Sequence, residues 1–500
     1  MKRALLPIAA IVGLNLLAHF LPFERVSLAS DDLQILQISP GQARAEYVRA
    51  QLTTARRPLE ISYILLHWFA GENKLLWVTL LFLASSLLAV SVYFLMTELV
   101  GDRLLSLICS AFFILLPNKE QLYHHLADAH LNAVYAITVA GLALFLAYLR
   151  KSNPLSLLAS LICYTISIFW YELGFFLPFV LVAAAALYGR KKLGASLLFF
   201  LPALFYLLLR SGLDPVPLNY LWSNLSVTVP NLYFGRQMIK WTLYGLARFP
   251  FIEPPWIFVL LVGNGLALGG FLLRLRKSPI PQIPLRAILL SMAMSILFLI
   301  PAALVPYGPL SRHTALASLG FSIFVIAVLR FLFGARPILM TFLMGVGLVV
   351  NQGIAWNQVV SCRMNNAVLE TLQEKKGSIL QGDRILIDQY SFAQRIPYTW
   401  IKDPLNQLDL YWGVDGLVGS AFQRLVPGIV GKSIPVYILR SPLQTEGEML
   451  TFQVYNTTYY RFEPEKVSRK GSTLIDYATV YSHGFHHGKR FAASTLRTQL

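Results

Sequence analysis

Two adjacent carboxylates, Asp31 and Asp32, are the first candidates for chemistry in this sequence. They follow an apolar run at residues 4 to 22 that is long enough to cross a bilayer. A carboxylate near a bilayer surface is partly desolvated, and desolvation raises its pKa towards the range of a general base. Paired acids also admit a divalent cation, although two adjacent carboxylates alone specify no metal. The alternative is a solvated loop or a helix cap.

A second set of polar residues lies in the segment NKEQLYHHLADAH. A helix there would place Glu120, His124 and Asp128 on one face, at i, i+4 and i+8. Carboxylates and imidazoles at that spacing can hold a metal ion or pass protons. The alternative is that these side chains lie at the headgroup level of a membrane without a specific partner.

Two further polar sites stand beside apolar runs. Glu172 in FWYELGFF has almost no loop around it to solvate a carboxylate, so we expect it to face a cavity or to pair with a cation. Arg312 and His313 in SRHTALASLGF precede another apolar run, where they could clamp a phosphate. The alternative for this pair is ordinary snorkelling towards the membrane interface.

The composition identifies the elements that must position these residues. Of the 500 residues, 56% are hydrophobic and 13% are charged, and the mean hydropathy is +0.58, which indicates an integral membrane protein. The net charge of +17 comes mostly from short loops, so we expect contact with anionic lipids and none with nucleic acid. The three cysteines predict neither a disulfide framework nor a CxxC metal site, and the motifs GxGxxG, GxxxxGK[ST] and HExxH are absent.

About eleven apolar runs predict membrane-spanning helices, which makes the fold a mainly α, multi-pass transmembrane bundle. They lie near residues 4 to 22, 75 to 97, 104 to 117, 131 to 149, 155 to 170, 173 to 188, 195 to 209, 255 to 273, 287 to 305, 315 to 333 and 338 to 355. With the N-terminus in the cytoplasm, every strongly basic loop falls on the cytoplasmic side. The candidate residues named above then all fall on the external side. The first run is longer than a signal-peptide core, which favours an uncleaved anchor.

A different pattern begins after Trp356. The segment NNAVLETLQEKKG predicts a short helix ending at Gly377, and the runs RILIDQY, SIPVYILR and MLTFQVYN predict strands. The chain therefore divides into a transmembrane domain, residues 1 to 355, and a small external α/β domain, residues 356 to 500. Three histidines in the tail HGFHHG could suggest a metal, but without nearby acids or thiols they are more typical of a surface.

The order of these features resembles the polytopic GT-C glycosyltransferases, in particular bacterial-type members of the clan that uses polyprenyl- or dolichyl-phosphate-linked sugars, such as mannosyltransferases. The likeness covers most of residues 1 to 360. It is carried by the first-loop acids, RRPLEISYILLHWFAGENKLLW, LLPNKEQ, WYELGFFLP and SRHTALASLGF, in that order. These motifs are short, and their order matters more than any one of them.

The resemblance implies a catalytic base at Asp32 or Asp31 and a donor-phosphate contact at Arg312, with His313 beside it. It also implies that Glu120 and Glu172 line the site, and the neighbouring His124 and Asp128 are expected there too. The donor would be a polyprenyl-phosphate sugar and the acceptor a hydroxyl of a glycan, lipid or protein, in the bacterial inner (plasma) membrane. No cofactor is implied beyond an optional divalent cation, and the metal is unknown. The alternatives are a lipid-linked-glycan transporter or flippase, expected to have internal repeats and mid-membrane acids, and a non-enzymatic assembly subunit.

Overall fold

The computed structural model of the chain is mainly helical. It describes residues 2–21, 45–119, 122–123, 129–210, 239–277, 281–303, 311–375 and six strands between 384 and 499, with gaps of one to five residues within 45–73 and 239–249 and at 335. Among these residues, six helical segments are long and apolar enough to cross a bilayer: Leu75–Val100, Ala129–Lys151, Arg190–Leu209, Pro254–Arg276, Ala315–Phe333 and Pro337–Trp356. The chain is therefore a membrane protein with a mainly α-helical fold, as its composition predicts.

Thirteen α-helices are described, numbered here in chain order. They are α1 (Lys2–Asn15), α2 (Ile61–Ala70), α3 (Lys74–Val100), α4 (Arg103–Leu115), α5 (Ala129–Lys151), α6 (Pro154–Trp170), α7 (Leu177–Tyr188), α8 (Leu193–Leu197), α9 (Phe200–Arg210), α10 (Pro254–Lys277), α11 (Leu285–Ala303), α12 (Ala315–Phe333) and α13 (Pro337–Lys375). A π-helical turn, Leu16–Phe20, extends α1. Short 3₁₀ turns connect several helices: Pro58–Glu60, Pro117–Lys119, Glu172–Gly174, Arg190–Lys192, Phe249–Phe251 and Ser311–Thr314.

Helix boundaries follow local capping chemistry. The Asp102 side chain accepts a hydrogen bond from the Leu105 amide at 2.8 Å and begins α4, while Asn153 accepts from Leu155 at 3.0 Å and begins α6. Gly101 ends α3 with φ of 75°, a left-handed conformation that glycine adopts without steric cost. The short loops between α3 and α4 and between α5 and α6 are therefore encoded by their own residues.

Small residues let several helices pack closely. The Ser160 hydroxyl of α6 donates to the Gly141 carbonyl of α5 at 2.6 Å. A Cβ added to Gly320 of α12 would lie 2.0 Å from the Ser291 carbonyl oxygen of α11. Lipid is as apolar as the side chains, so helices in a membrane associate through such close packing and through hydrogen bonds between helices.

Buried amides link helices that are distant in sequence. Asn264 of α10 and Gln352 of α13 exchange two hydrogen bonds, at 2.8 and 2.7 Å, and Gln352 also donates to the Leu17 carbonyl at 3.2 Å. The Asn15 amide of α1 donates to Ser85 and Ser86 of α3 at 3.0 and 3.2 Å. These polar contacts fix the register of α1, α10 and α13 inside an apolar bundle.

Basic side chains cluster at one end of the bundle, which we call the basic end and define by Arg150, Lys192 and Arg286. Lys192 donates to the Tyr148 and Leu149 carbonyls at 2.9 and 2.8 Å, where an ammonium complements the negative end of the α5 dipole. Arg150 lies 3.3 Å from the Glu98 carboxylate, and the Arg286 guanidinium lies 4.8 Å from a tyrosine ring centroid at the end of α7. The sequence assigns all three cations to cytoplasmic loops.

The strands follow in a second unit of the chain. They form a mixed sheet in the order β4-β3-β2-β1-β5-β6. The strands are β1 (Arg384–Asp388), β2 (Val436–Leu439), β3 (Met449–Thr451), β4 (Arg461–Phe462), β5 (Ser472–Asp476) and β6 (Leu496–Gln499). The central strand β1 is parallel to both β2 and β5, and the other pairs are antiparallel.

One sequence expectation about this region was wrong. The segment NNAVLETLQEKKG does not form a separate short helix, because α13 runs without interruption from Pro337 to Lys375. No glycine or proline stands between residues 354 and 376, and Leu, Gln, Glu and Lys favour helix continuation. The division into domains at residues 355 and 356 stays a prediction; the second compact unit includes the chain from Asn357 onward.

Candidate functional site

Four histidines lie at the other end of the bundle, which we call the histidine end. It is defined by His19, His67, His130 and His313 together with Lys119 and Glu172. These residues lie on six different segments, all of which the sequence assigns to external loops or to the outer ends of spans. The contacts that bring the segments together are mainly aromatic stacking and hydrogen bonds to backbone carbonyls.

The short helix α2 is held against α3 by aromatic rings. The buried His67 ring lies 4.2 Å from Tyr63 and 4.4 Å from Trp77, measured between ring centroids. His67 Nδ1 lies 2.9 Å from the Tyr63 carbonyl oxygen, and because a carbonyl only accepts, Nδ1 carries the proton. The Trp77 indole donates to the Gly71 carbonyl at 2.9 Å and closes the connection between the two helices.

Tyr63 also links α2 to the start of α5. Its ring centroid lies 4.2 Å from that of His130, which in turn lies 6.3 Å from that of Tyr171, directly after α6. Three segments, the outermost more than a hundred positions apart in sequence, therefore meet around His130.

The turns Pro117–Lys119 and Ser311–Thr314 pack against each other. The Asn118 amide donates to the Ser318 hydroxyl at 2.9 Å, and the Thr314 hydroxyl contacts the Asn118 carbonyl at 3.4 Å. All three side chains are buried, as is His313. Two of the motifs that carry the family resemblance, LLPNKEQ and SRHTALASLGF, are therefore in direct contact.

Lys119 is fully buried at this junction. Its ammonium donates to the Phe113 carbonyl and, at 3.0 Å, to the Leu116 carbonyl, and it lies 4.5 Å from the Phe113 ring centroid. It therefore neutralises the C-terminal carbonyls of α4 and gains a cation–π contact. These bonds attach the turn that contains Asn118 to the C-terminal end of α4.

A stacked pair continues the histidine end towards α1. The His19 and Tyr123 rings are nearly parallel, 3.6 Å apart, and His19 Nε2 lies 3.1 Å from the Ile114 carbonyl oxygen, so Nε2 carries the proton. Burial raises the pKa of the Tyr123 hydroxyl above its usual value, which keeps the phenol neutral. Next to Tyr123, the Leu122 carbonyl accepts a hydrogen bond from Asn132 of α5 at 2.6 Å, which joins this pair to the His130 cluster.

Glu172 lies on the turn between α6 and α7, where it is half-buried. The Tyr206 hydroxyl of α9 is 3.4 Å from one of its carboxylate oxygens. Tyr171 next to it contacts His130, so the carboxylate is at the edge of the histidine cluster. A half-buried carboxylate beside a phenol can accept hydrogen bonds from hydroxyl groups or hold a cation.

The predicted site residues fall into two groups. Glu172 and His313 lie at the histidine end, and the backbone of Arg312 lies in the turn beside His313. The remaining predicted residues lie outside the described part of the chain: Asp31, Asp32, Glu120, His124 and Asp128. Their proposed roles stay predictions.

Several residues of this end were not singled out from the sequence: His19, Tyr63, His67, Lys119 and His130. The signal that could have found them is their position, because each is a polar or amphipathic residue at or near the outer end of an apolar run. That signal is weak, because interfacial His, Lys and Tyr are common in membrane proteins without a shared site. Only the contacts between the segments reveal the cluster.

Metal-binding geometry and known families give no further assignment. Within the described part of the chain, no group of three or more His, Cys, Asp or Glu side chains could hold a metal ion. No protein-family model matches the chain, and no curated protein matches it in sequence. The fold and the histidine end define a polytopic membrane protein with a polar cluster at one end of its helical bundle.

Proposed function

We propose that the protein is a membrane glycosyltransferase that moves a sugar from a polyprenyl-phosphate donor to an acceptor hydroxyl on the external side. The supporting observation is the meeting of LEISYILLHWF, LLPNKEQ, WYELGFF and SRHTALASLGF at the histidine end, while basic side chains hold the opposite end. These are segments on which the GT-C resemblance rests.

The chemistry requires one base and one anion contact. A new bond forms between the acceptor oxygen and the anomeric carbon of the sugar while the bond from that carbon to the phosphate oxygen breaks. Asp32 or Asp31 takes the proton of the acceptor hydroxyl, and the polyprenyl phosphate leaves with the bonding electrons. Arg312, with His313 beside it, stabilises the charge on the leaving phosphate. No nucleotide site is needed, in agreement with the missing nucleotide motifs.

The proposal includes a topology. The N-terminus lies in the cytoplasm, about eleven segments span the bacterial inner membrane, and residues 356 to 500 form an external α/β domain. The supporting observations are the clustering of Arg150, Lys192 and Arg286 at one end and the parallel strands after residue 383. The described residues contain six long apolar helices and six shorter ones of 10–17 residues. The proposed number of about eleven spans lies between the count of the long helices alone and the count of all twelve.

A transporter is the alternative from another functional class. Such a protein places polar groups near the middle of the membrane, and Asn264 and Gln352 are buried on long apolar helices. Each of these two amides, however, bonds to the other, which is the arrangement of a structural contact between helices. A non-enzymatic assembly subunit would leave Asp32 and Arg312 dispensable.

The test is sugar transfer by purified protein in bilayers, with donor binding measured in parallel. Removing a general base typically slows turnover about 10²- to 10⁴-fold and changes substrate affinity little. We expect Asp32→Asn or Asp31→Asn to bind the donor and fail to transfer. The matched control is Asp102→Asn at the basic end, where Asn caps a helix as well as Asp does. Full transfer by both first-loop variants would refute the proposed mechanism.

A further inference from the structure

Asn118 Oδ1, Asn132 Oδ1 and Trp170 Nε1 are buried polar atoms at the histidine end that have no hydrogen-bond partner within the described part of the chain. Asn118 is 1% exposed and Asn132 is 0% exposed. Buried polar groups are nearly always paired because burial without a partner costs free energy, so each exception calls for a reason. Asn15 Oδ1, another buried atom without a partner among the described residues, belongs to the contact of α1 with α3 and is not part of this group.

The three residues stand on neighbouring segments. Asn118 is in the turn after α4, and Asn132 of α5 bonds to the Leu122 carbonyl, three residues beyond that turn. Trp170 ends α6 immediately before Tyr171, whose ring contacts that of His130, two residues before Asn132. The amide nitrogens of Asn118 and Asn132 are already used by the protein, which leaves their oxygens as acceptors.

The types of the three atoms restrict the ligand that would satisfy them. A phosphate offers acceptors only, so it suits the indole N–H and repels two carboxamide oxygens. An ammonium group suits the two oxygens but not the indole N–H. A hydroxyl both donates and accepts, so a compound with several hydroxyl groups suits all three types of atom. Aromatic and imidazole rings beside them also suit the apolar faces of a sugar ring.

We propose that Asn118, Asn132 and Trp170 bind the hydroxyl groups of the sugar carried by the lipid donor. The inference rests on the proposed function, and it assigns sugar recognition to residues distinct from the base and the phosphate contact. Trp170 donates to one sugar hydroxyl, and the two asparagine oxygens accept from others. The site thereby distinguishes a sugar-bearing lipid from the same lipid without its sugar.

The decisive variant is Trp170→Phe, which removes the N–H and keeps most of the ring. The probes are a polyprenyl phosphate and the same lipid carrying mannose, glucose or galactose, with binding measured on full-length protein in nanodiscs. We expect the variant to bind the bare lipid as wild type does and to bind the preferred sugar lipid about 2- to 10-fold more weakly. Its thermal midpoint should not fall, because no protein hydrogen bond is lost.

Asn132→Leu provides a second variant, and Trp256→Phe, near the start of α10, is the matched control. Equal binding of all sugar lipids by wild type and Trp170→Phe would overturn the inference and leave ordered water as the partner of these atoms. If Trp170→Phe weakens binding of the bare polyprenyl phosphate by the same factor as binding of the sugar lipid, the inference is overturned as well. If wild type transfers sugar and Trp170→Phe is unaffected, only this inference fails. If wild type binds neither kind of lipid, the proposed function fails with it.

Discussion

Replacing the amide pair Asn264 and Gln352 tests how the long helices are held together. Asn264→Leu leaves Gln352 with one of its two acceptors, the Leu17 carbonyl, and removes the donor to its side-chain oxygen. Gln352→Leu likewise leaves both side-chain groups of Asn264 without their partner. An unsatisfied buried amide costs about 1–3 kcal/mol, so each single variant should lose about that much stability.

The double variant should lose less than the sum of the two single variants. Once both amides are leucine, neither side-chain amide is left unpaired and only the Leu17 carbonyl loses its donor from Gln352. Replacing both partners of a hydrogen bond by apolar groups is often nearly neutral. Interhelical hydrogen bonds in membranes are worth about 0.6 kcal/mol on average and up to about 1.7. We therefore expect a coupling free energy of about 1–2 kcal/mol for the two bonds of this pair.

The assay is reversible unfolding in mixed micelles, applied to wild type, both single variants and the double variant. Asn264→Leu combined with Ser167→Ala, at the α5–α6 contact, is the additive control because Ser167 bonds to Thr138 and to neither amide. Strict additivity of Asn264→Leu and Gln352→Leu would refute the claim that the amides stabilise α10 and α13 through each other.

Other consequences can be measured separately. Gly320→Ala should destabilise the protein by about 1–3 kcal/mol, since its Cβ would lie 2.0 Å from the Ser291 carbonyl oxygen, whereas Gly265→Ala, with no neighbour within 4 Å, should be neutral in the same unfolding assay. Arg312→Ala should weaken binding of the polyprenyl-phosphate sugar about 10- to 100-fold while the protein still inserts; unchanged binding would make Arg312 an interfacial anchor. A reporter fused after Leu500 should be active outside the cytoplasm, and activity only inside would remove the premise of an external site.

Hydropathy and charge along the sequence determined the class of protein and the approximate position of its helices. Apolar runs and basic loops are local properties, because the bilayer imposes length and polarity on each segment separately. Local chemistry also determined several helix starts, such as those capped by Asp102 and Asn153. The segment before Gly377 is helical, as predicted, but it continues the last span as one helix. The change from apolar to polar residues after Trp356 suggested a new element, whereas the absence of glycine and proline from residues 354 to 376 lets the helix continue.

Which polar residues meet was decided by the tertiary structure. Asn118 bonds to Ser318, which is 200 positions away in sequence, and Asn264 bonds to Gln352, which is 88 positions away. Neither pairing follows from a periodic pattern in the sequence. The roles of Asp31 and Asp32 rest on sequence and resemblance alone. The histidine end, with the buried polar atoms of Asn118, Asn132 and Trp170, depends on how the ends of the helices pack. Partners in a membrane bundle are selected by close fit and hydrogen bonding rather than by hydrophobicity, which every span shares.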